Sequence, residues 1–268
     1  MPMNYLKATL LSLILLGCAT LDAPQSSDSL PNLAQRYNIQ WDSQSNRPHS
    51  IPGGDGFILK PCDASDESQQ NLFIYLYTLP KSIKGYLDGK PKSTPEALHI
   101  LINQSYRWED GNFLSGFVGY APDGTAFMHC GIGQFPNKHM AELFLIELPG
   151  FRNQGYGKKA MAALDRWATF LNKAGTTLNG DRKSEIRTLI ARVSPDNIPA
   201  MKLLISSGFK SEFKSNQFKD ELNEPPPDHV KFTQQQIIID GKSHKITVMT
   251  TPRRPEPKVI FLKRIGEN

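Results

Sequence analysis

The run Arg152-Asn153-Gln154-Gly155-Tyr156-Gly157 has the residue types of an anion-binding turn. It stands between a β-prone apolar run, residues 141–148, and a run with helical spacing, residues 157–171. The first backbone N–H groups of a helix have no partners within it, so a turn that opens a helix presents donors to a phosphate. Gly155 and Gly157 let a ligand approach the backbone closely; a purely structural turn is the other reading of the same glycines. Lys158 and Lys159 follow directly and either meet phosphate oxygens or stand solvated. No Gly-Lys-Ser/Thr follows Gly157, and the glycine spacing is not that of a dinucleotide fingerprint, so nucleotide hydrolysis is disfavoured.

Two carboxylates, Glu142 and Glu147, lie in the strand that feeds this turn. Either can act as a general base toward an ammonium, or can be an ordinary solvated or ion-paired strand residue. Being five residues apart, they fall on opposite faces of a strand, so only one faces a given ligand. Metal chemistry has no support. The cysteines Cys18, Cys62 and Cys130 and the six histidines show no ligand spacing, and no metal site is expected.

The elements that must position these residues are legible as periodicities. Residues 57–59 begin a strand, an apolar-rich helix covers 72–79, and Leu98, Leu101 and Ile102 mark one face of a second helix over 95–106. Residues 113–120 and 126–135 flank Ala121-Pro122-Asp123-Gly124 and predict an antiparallel hairpin. After the glycine turn, Met161, Leu164, Ala168 and Leu171 share a helical face. Residues 187–193 form a further strand, and Asn197 caps a short helix that ends at Gly208. The order is β-α-α-β-β-β-α-β-α. Beyond Pro225-Pro226-Pro227, residues 237–239 and 246–249 flank an Asp240-Gly241 turn as a second hairpin, and residues 259–262 return to the main sheet.

The turn resembles motif A of the GNAT superfamily of N-acetyltransferases, Arg/Gln-x-x-Gly-x-Gly/Ala after the fourth strand. Residues 197–209, Asn197 through Phe209, resemble motif B one strand later. The resemblance covers about residues 55–213 and includes the ribosomal-protein and amine acetyltransferase branch. It implies an α/β (α+β) GNAT fold, a central mixed, mostly antiparallel sheet flanked by helices, here with a C-terminal β-hairpin extension. It also implies acetyl-CoA as co-substrate, held by Leu148, Arg152, Asn153, Gln154, Gly155, Tyr156, Gly157 and Lys158, with Asn197 at the pantetheine arm or simply capping its helix. An amine acceptor, a small molecule, peptide or protein, would attack the thioester directly. Backbone donors for the oxyanion would come from the strand spanning Phe144 to Leu148, and Glu142 takes the carboxylate position first, with Glu147 second. Ala200 and Leu204 stand where the family often has a Ser or Tyr acid, leaving Tyr156 or water to protonate the thiolate. A non-catalytic acyl-CoA-binding module or an envelope lipoprotein scaffold is the alternative.

At 268 residues, 39% hydrophobic and 21% charged, the chain suits one soluble domain with appendages. Its net charge of +5 suits several anionic partners, but no basic block interleaved with aromatics points to nucleic acid. Lys7, the apolar residues 10–16 and Leu15-Leu16-Gly17-Cys18 resemble a bacterial lipoprotein signal, with a lipid anchor at Cys18 and a cell-envelope location if processed, a cytoplasmic one otherwise. The expected organisation is a leader over 1–22, a flexible arm over 23–54, the acetyltransferase-like domain over 55–213 and a β extension over 214–268 that completes the sheet. The sheet order that the resemblance implies puts a strand between Cys62 and Cys130, which would place them too far apart for a disulfide.

Overall fold

A computed structural model describes residues 29–84, 86, 89–134, 139–175, 177–178, 182–183, 186–211, 231–251 and 254–265. The leader, Cys18 and the first part of the arm lie outside the described residues, as do residues 212–230.

The chain opens with α1 (Leu30–Arg36), β1 (Gln40–Asp42) and β2 (Arg47–Gly54), then β3 (Phe57–Pro61). Residues 29–54 are therefore not the flexible arm their polar composition predicts. A few apolar residues anchor them. Leu33, Ala34 and Ile39 are buried, and the Trp41 ring lies 6.0 Å from Phe113 and 5.5 Å from Phe170. These contacts, with the antiparallel pairing of β1 on β2 and β2 on β3, hold the segment on the sheet edge.

α2 (Glu67–Thr78) starts earlier than its apolar residues suggest, because Asp66 accepts from the amides of Ser68 and Gln69. A one-turn α3 (Pro80–Ile83) precedes α4 (Thr94–Glu109), which Ser93 and Glu96 open as a reciprocal capping box. β4 (Gly116–Tyr120) and β5 (Ala126–Gln134) form the expected hairpin; Gly124 takes φ +85° in the turn, and Asp123 accepts from the amide of Thr125 at 2.9 Å. β6 (Met140–Glu147) leads through a 3-10 turn, Pro149–Phe151, into α5 (Tyr156–Ala174). A small ribbon, β7 (Thr177–Leu178) with β8 (Arg182–Lys183), precedes β9 (Thr188–Val193) and α6 (Ile198–Ser206). β10 (Lys231–Ile239), β11 (Lys242–Thr251) and β12 (Arg254–Arg264) complete the chain.

Ten strands make one sheet in the order β1-β2-β3-β4-β5-β6-β9-β12-β11-β10. All neighbours are antiparallel except β6 and β9. The mixed, mostly antiparallel sheet is the one expected, and β12 inserts beside β9, so the C-terminal hairpin continues the main sheet. The two faces are covered by different helices. Phe117, paired with Cys130, meets Trp167 of α5 at 5.7 Å; the adjacent His129 points the other way, onto Phe73 of α2 at 4.5 Å. The α5 stripe is wider than the four residues singled out in sequence, since Ala160, Ala163, Trp167 and Phe170 are buried as well. Cys62 and Cys130 are buried free thiols with β4 between their strands.

Candidate functional site

The site begins where the sheet comes apart. β6 and β9 pair only at Met140 with Thr188, Ala141 with Leu189 and Glu142 with Ile190, although both strands run on. Beyond Leu143 they diverge. The amide of Leu148 donates to the Phe127 carbonyl at 2.9 Å, so the antiparallel alternation aims the amides of Leu145 and Glu147, beyond the last paired residues, away from β5 and toward the gap. Leu148 itself, expected at the cofactor, has its N–H committed to the sheet.

A cavity of about 450 Å³ occupies this gap. Strand register divides its lining into two halves. Leu143, Leu145 and Val193 face α5 and α6 and meet Met161, Leu203 and Leu204, giving an apolar half. Glu142, Phe144, Arg192 and His129 face the other way and meet Tyr77 and Tyr86, giving a half that is aromatic and polar. The cavity thus passes from one face of the sheet to the other.

The glycine turn lies at the apolar side. Asn153 and Gly155 have φ of +64° and +83°, and α5 starts with no side-chain cap and no acidic residue in its first turn. The α5 start leaves the amides of Tyr156, Gly157 and Lys158 without intrahelical acceptors, and no side chain caps it as Asp66 caps α2 and Asn197 caps α6; α1 and α3 are uncapped too. The first α5 bond runs from the Lys159 amide to the Gly155 carbonyl. A Cβ on Gly155 would meet nothing within 4 Å, whereas one on Gly157 would lie 3.0 Å from Cδ2 of Leu203. Gly155 is thus the open position of the turn, and Gly157 serves the packing of α6 on α5. Leu203 lines the cavity too, which joins the turn to it.

The turn's side chains brace it. Arg152 donates to the carbonyls of Ser82 at 3.0 Å and Glu147 at 3.3 Å, and Gln154 donates to Gly150 at 2.7 Å. Asn153 and Lys158 are exposed; Lys159 pairs with Asp55 at 3.0 Å. Tyr156 sits among Phe57, Phe127 and Phe151, and it does not line the cavity. Asn197 caps α6, its side chain accepting from the Ala200 amide at 3.3 Å, and it also lines the cavity. Ala200 and Leu204 line the cavity and offer no acid there.

The two carboxylates separate as strand alternation requires. Glu142 lines the cavity, but Arg192 holds it through two contacts, Nε to Oε1 at 2.6 Å and an Nη to Oε2 at 2.5 Å. The pair is bidentate, so both carboxylate oxygens of Glu142 are engaged by Arg192. Glu147 is outside the cavity lining; burial pushes its carboxyl up to about 7, against the opposing pull of Arg152, and its Oε2 has no partner.

The aromatic half was not visible in the sequence. Tyr77 Oη lies 2.7 Å from His129 Nδ1, and burial drives the imidazole down to about 3 and both Tyr77 and Tyr86 above their ordinary value. All three are neutral near pH 7. Tyr77 and His129 stand 52 residues apart, and only the packing of α2 on β5 brings them together. Among the described residues no group of three or more His, Cys, Asp or Glu side chains is placed to hold a metal ion.

Residues 75–179, which include β4 to β6 and the glycine turn, match the model of the Acetyltransferase (GNAT) family. An acetyltransferase of the GNAT family from Bacillus anthracis superposes with a TM-score of 0.51 at 11% identity, over 81% of this chain and 99% of its own. RimL, a ribosomal L7/L12 alpha-N-protein acetyltransferase solved in complex with coenzyme A, gives 0.50 at 12% identity, over 82% and 99%. An acetyl transferase from Salmonella typhimurium that modifies the N-terminal serine of ribosomal protein L7/L12 gives 0.51 at 13%, over 81% and 99%. No curated protein matches the chain. The fold is the GNAT fold.

Proposed function

We propose that the chain transfers an acetyl group from acetyl-CoA to a primary amine by direct attack. The observation that carries this reading is the cavity through the sheet at the β6–β9 gap, apolar on the α5 side and polar on the other, beside an uncapped helix N-terminus. The residues present suit acetyl-CoA. The free amides of α5 fit its pyrophosphate, and Met161, Leu203 and Leu204 fit its pantetheine arm. When bound, it supplies an acyl group activated as a thioester.

The chain does the rest. The Leu145 amide, turned into the gap, is placed to hold negative charge developing on a carbonyl oxygen. Glu142 is tied to Arg192, so it positions the two strands at their branch and does not take the amine proton. The neutral wall of Tyr77, Tyr86, His129 and Phe144 disfavours an ammonium, so the amine enters deprotonated. As its nitrogen bonds the carbonyl carbon the C–S bond breaks, and the proton that the nitrogen sheds passes through water while the leaving sulfur takes one up, releasing CoA as the thiol.

The test is thiol release from acetyl-CoA by the full chain against a panel of primary amines. Release that depends on both substrates, with an N-acetylated amine as product, is the expected result. Acetyl-CoA binding with no acetylated product from any amine would overturn the transfer step.

A further inference from the structure

The acceptor half of the cavity has a floor without side chains. On the sheet face shared by His129, Glu142 and Arg192, β5 presents Gly131 and then Gly133. Gly131 makes room for Phe144: a Cβ there would lie 2.7 Å from the ring's Cζ, so the ring reclines across β5 instead of standing in the cavity. Gly133 is left open. A Cβ on it would meet only the Glu142 carbonyl oxygen at 3.7 Å and Cε1 of Phe144 at 4.0 Å, and the residue lines the cavity.

Rings and a cation flank this floor. On one side Tyr86, Tyr77, His129 and Phe144 form an arc, with successive centroids 6.1, 6.0 and 4.9 Å apart and planes tilted by 69°, 59° and 58°. Tilted contacts of this kind are the ones in which aromatic quadrupoles attract, and the arc ends at Phe144, beside the open Gly133. On the other side stands the clasp, because Glu142 pairs with Gly133, and Arg192 lies two residues beyond Ile190, the partner of Glu142 on β9. Arg192 meets the carboxylate with its Nε and Nη edge, and its side chain remains 25% exposed. A guanidinium held by its edge keeps its flat cationic face for a neighbour, and that face attracts an aromatic ring more than an aliphatic one. A second ammonium on the acceptor gains nothing here: among the described residues, Glu142 is the only acidic one that lines the cavity, and Arg192 holds it.

We propose that the acceptor is a primary amine carrying one aromatic ring on a short tether, with the ring over Gly133 between Phe144 and the Arg192 guanidinium. The proposal rests on the acetyl-transfer reading for the amine. One strand spacing, about 4.8 Å, separates β5 from β6, where the gap opens, so a two-carbon tether carries the amine from the ring to the gap. The cavity of about 450 Å³ must hold the thioester arm as well, which leaves space for a single ring.

The experiment compares phenethylamine with 2-cyclohexylethylamine, which has the same carbon count and tether but no π face. Thiol release from acetyl-CoA is measured for the full chain, for G133A, which raises the floor by one methyl group, and for F144L, which removes the end of the arc. Comparison between proteins cancels the differing basicity of the two amines. In the native chain phenethylamine should lead in kcat/KM by about tenfold, the advantage expected of one aromatic contact together with one guanidinium–ring contact. F144L should cut that lead to about threefold or less. G133A should lower kcat/KM for phenethylamine about tenfold or more, with acetyl-CoA affinity unchanged and the melting temperature no lower, since the added methyl meets only ordinary contacts. A native ratio near one, or a G133A enzyme that uses phenethylamine as well as the native chain does, overturns the proposal. If acetyl-CoA binds but nothing is acetylated, the transfer reading fails alone. The subsite is then judged by titrating the two amines into CoA-loaded protein: tighter binding of phenethylamine that G133A abolishes supports it, and equal binding overturns it.

Discussion

At the scale of single residues, the most consequential finding is that Glu142 is clasped. Sequence placed it correctly on the strand before the glycine turn but could not show Arg192, 50 residues later, whose position depends on β9 lying beside β6. A general base and a clasp predict different kinetics for E142Q. Loss of a base would cost about 10²–10⁴ in kcat and remove an ionisation from the pH–rate profile. The clasp predicts a fall of about tenfold or less, carried mainly by weaker acetyl-CoA binding, with the profile's shape unchanged. Steady-state rates across pH distinguish them.

Glu147 gives the other residue-scale prediction. Its ordinary value is 4.5, and in the folded protein it is up to about 7, so the folded state holds the proton more tightly than the unfolded chain. Its stability contribution is full below about pH 4.5 and is lost as pH rises through 7. E147Q should therefore melt higher than the native chain at pH 8, by an amount equivalent to about 2 kcal/mol at most after allowing for partial exposure, and no higher at pH 5. His129, held down to about 3, has the opposite sign and loses stability as pH falls below its ordinary 6.5. That loss is common to both proteins, so the difference between them isolates Glu147.

At the scale of elements, the hairpin of β4 and β5, the long α5 and the short α6 were legible, because apolar period, turn residues and caps agreed. α1, β1 and β2 were not: a segment rich in Ser, Asn and Gln hides the few anchors, Leu33, Ala34 and Ile39 in the core and Tyr37 and Trp41 on Phe170. The two glycines of the turn looked equivalent in sequence, and only the packing of Leu203 separates the open Gly155 from the structural Gly157. Asn197 caps α6 and lines the cavity, and substitutions can part the two. N197A should lose about 1 kcal/mol of stability with the α6 cap, measured by chemical denaturation. N197D keeps an acceptor for the Ala200 amide, so it should retain that stability while its charge in the cavity weakens acetyl-CoA binding. Equal acetyl-CoA affinity in N197D and the native chain would leave Asn197 as a cap alone.

At the scale of the whole molecule, the described residues form one sheet of ten strands that carries the site at the parallel junction of β6 and β9. Parallel neighbours cannot be joined by a tight hairpin, so the strands on either side of the junction come from distant parts of the chain. That is why the gap, the two-sided cavity and the aromatic wall had no local signal, while the turn and α5 did. The C-terminal strands are part of the same design, since β12 both extends the sheet and brings Lys258 to the cavity. The central claim is that the amides opening α5 hold the pyrophosphate of acetyl-CoA. Calorimetric titration of the full chain with acetyl-CoA, beside G155D, tests it most directly. The residue opens onto free space, and Asp tolerates its positive φ better than most side chains, so the variant should fold while placing a negative charge where phosphate must sit. The account predicts micromolar binding by the native chain that is abolished in G155D. Equal binding by both proteins, or none by the folded native chain, would contradict it.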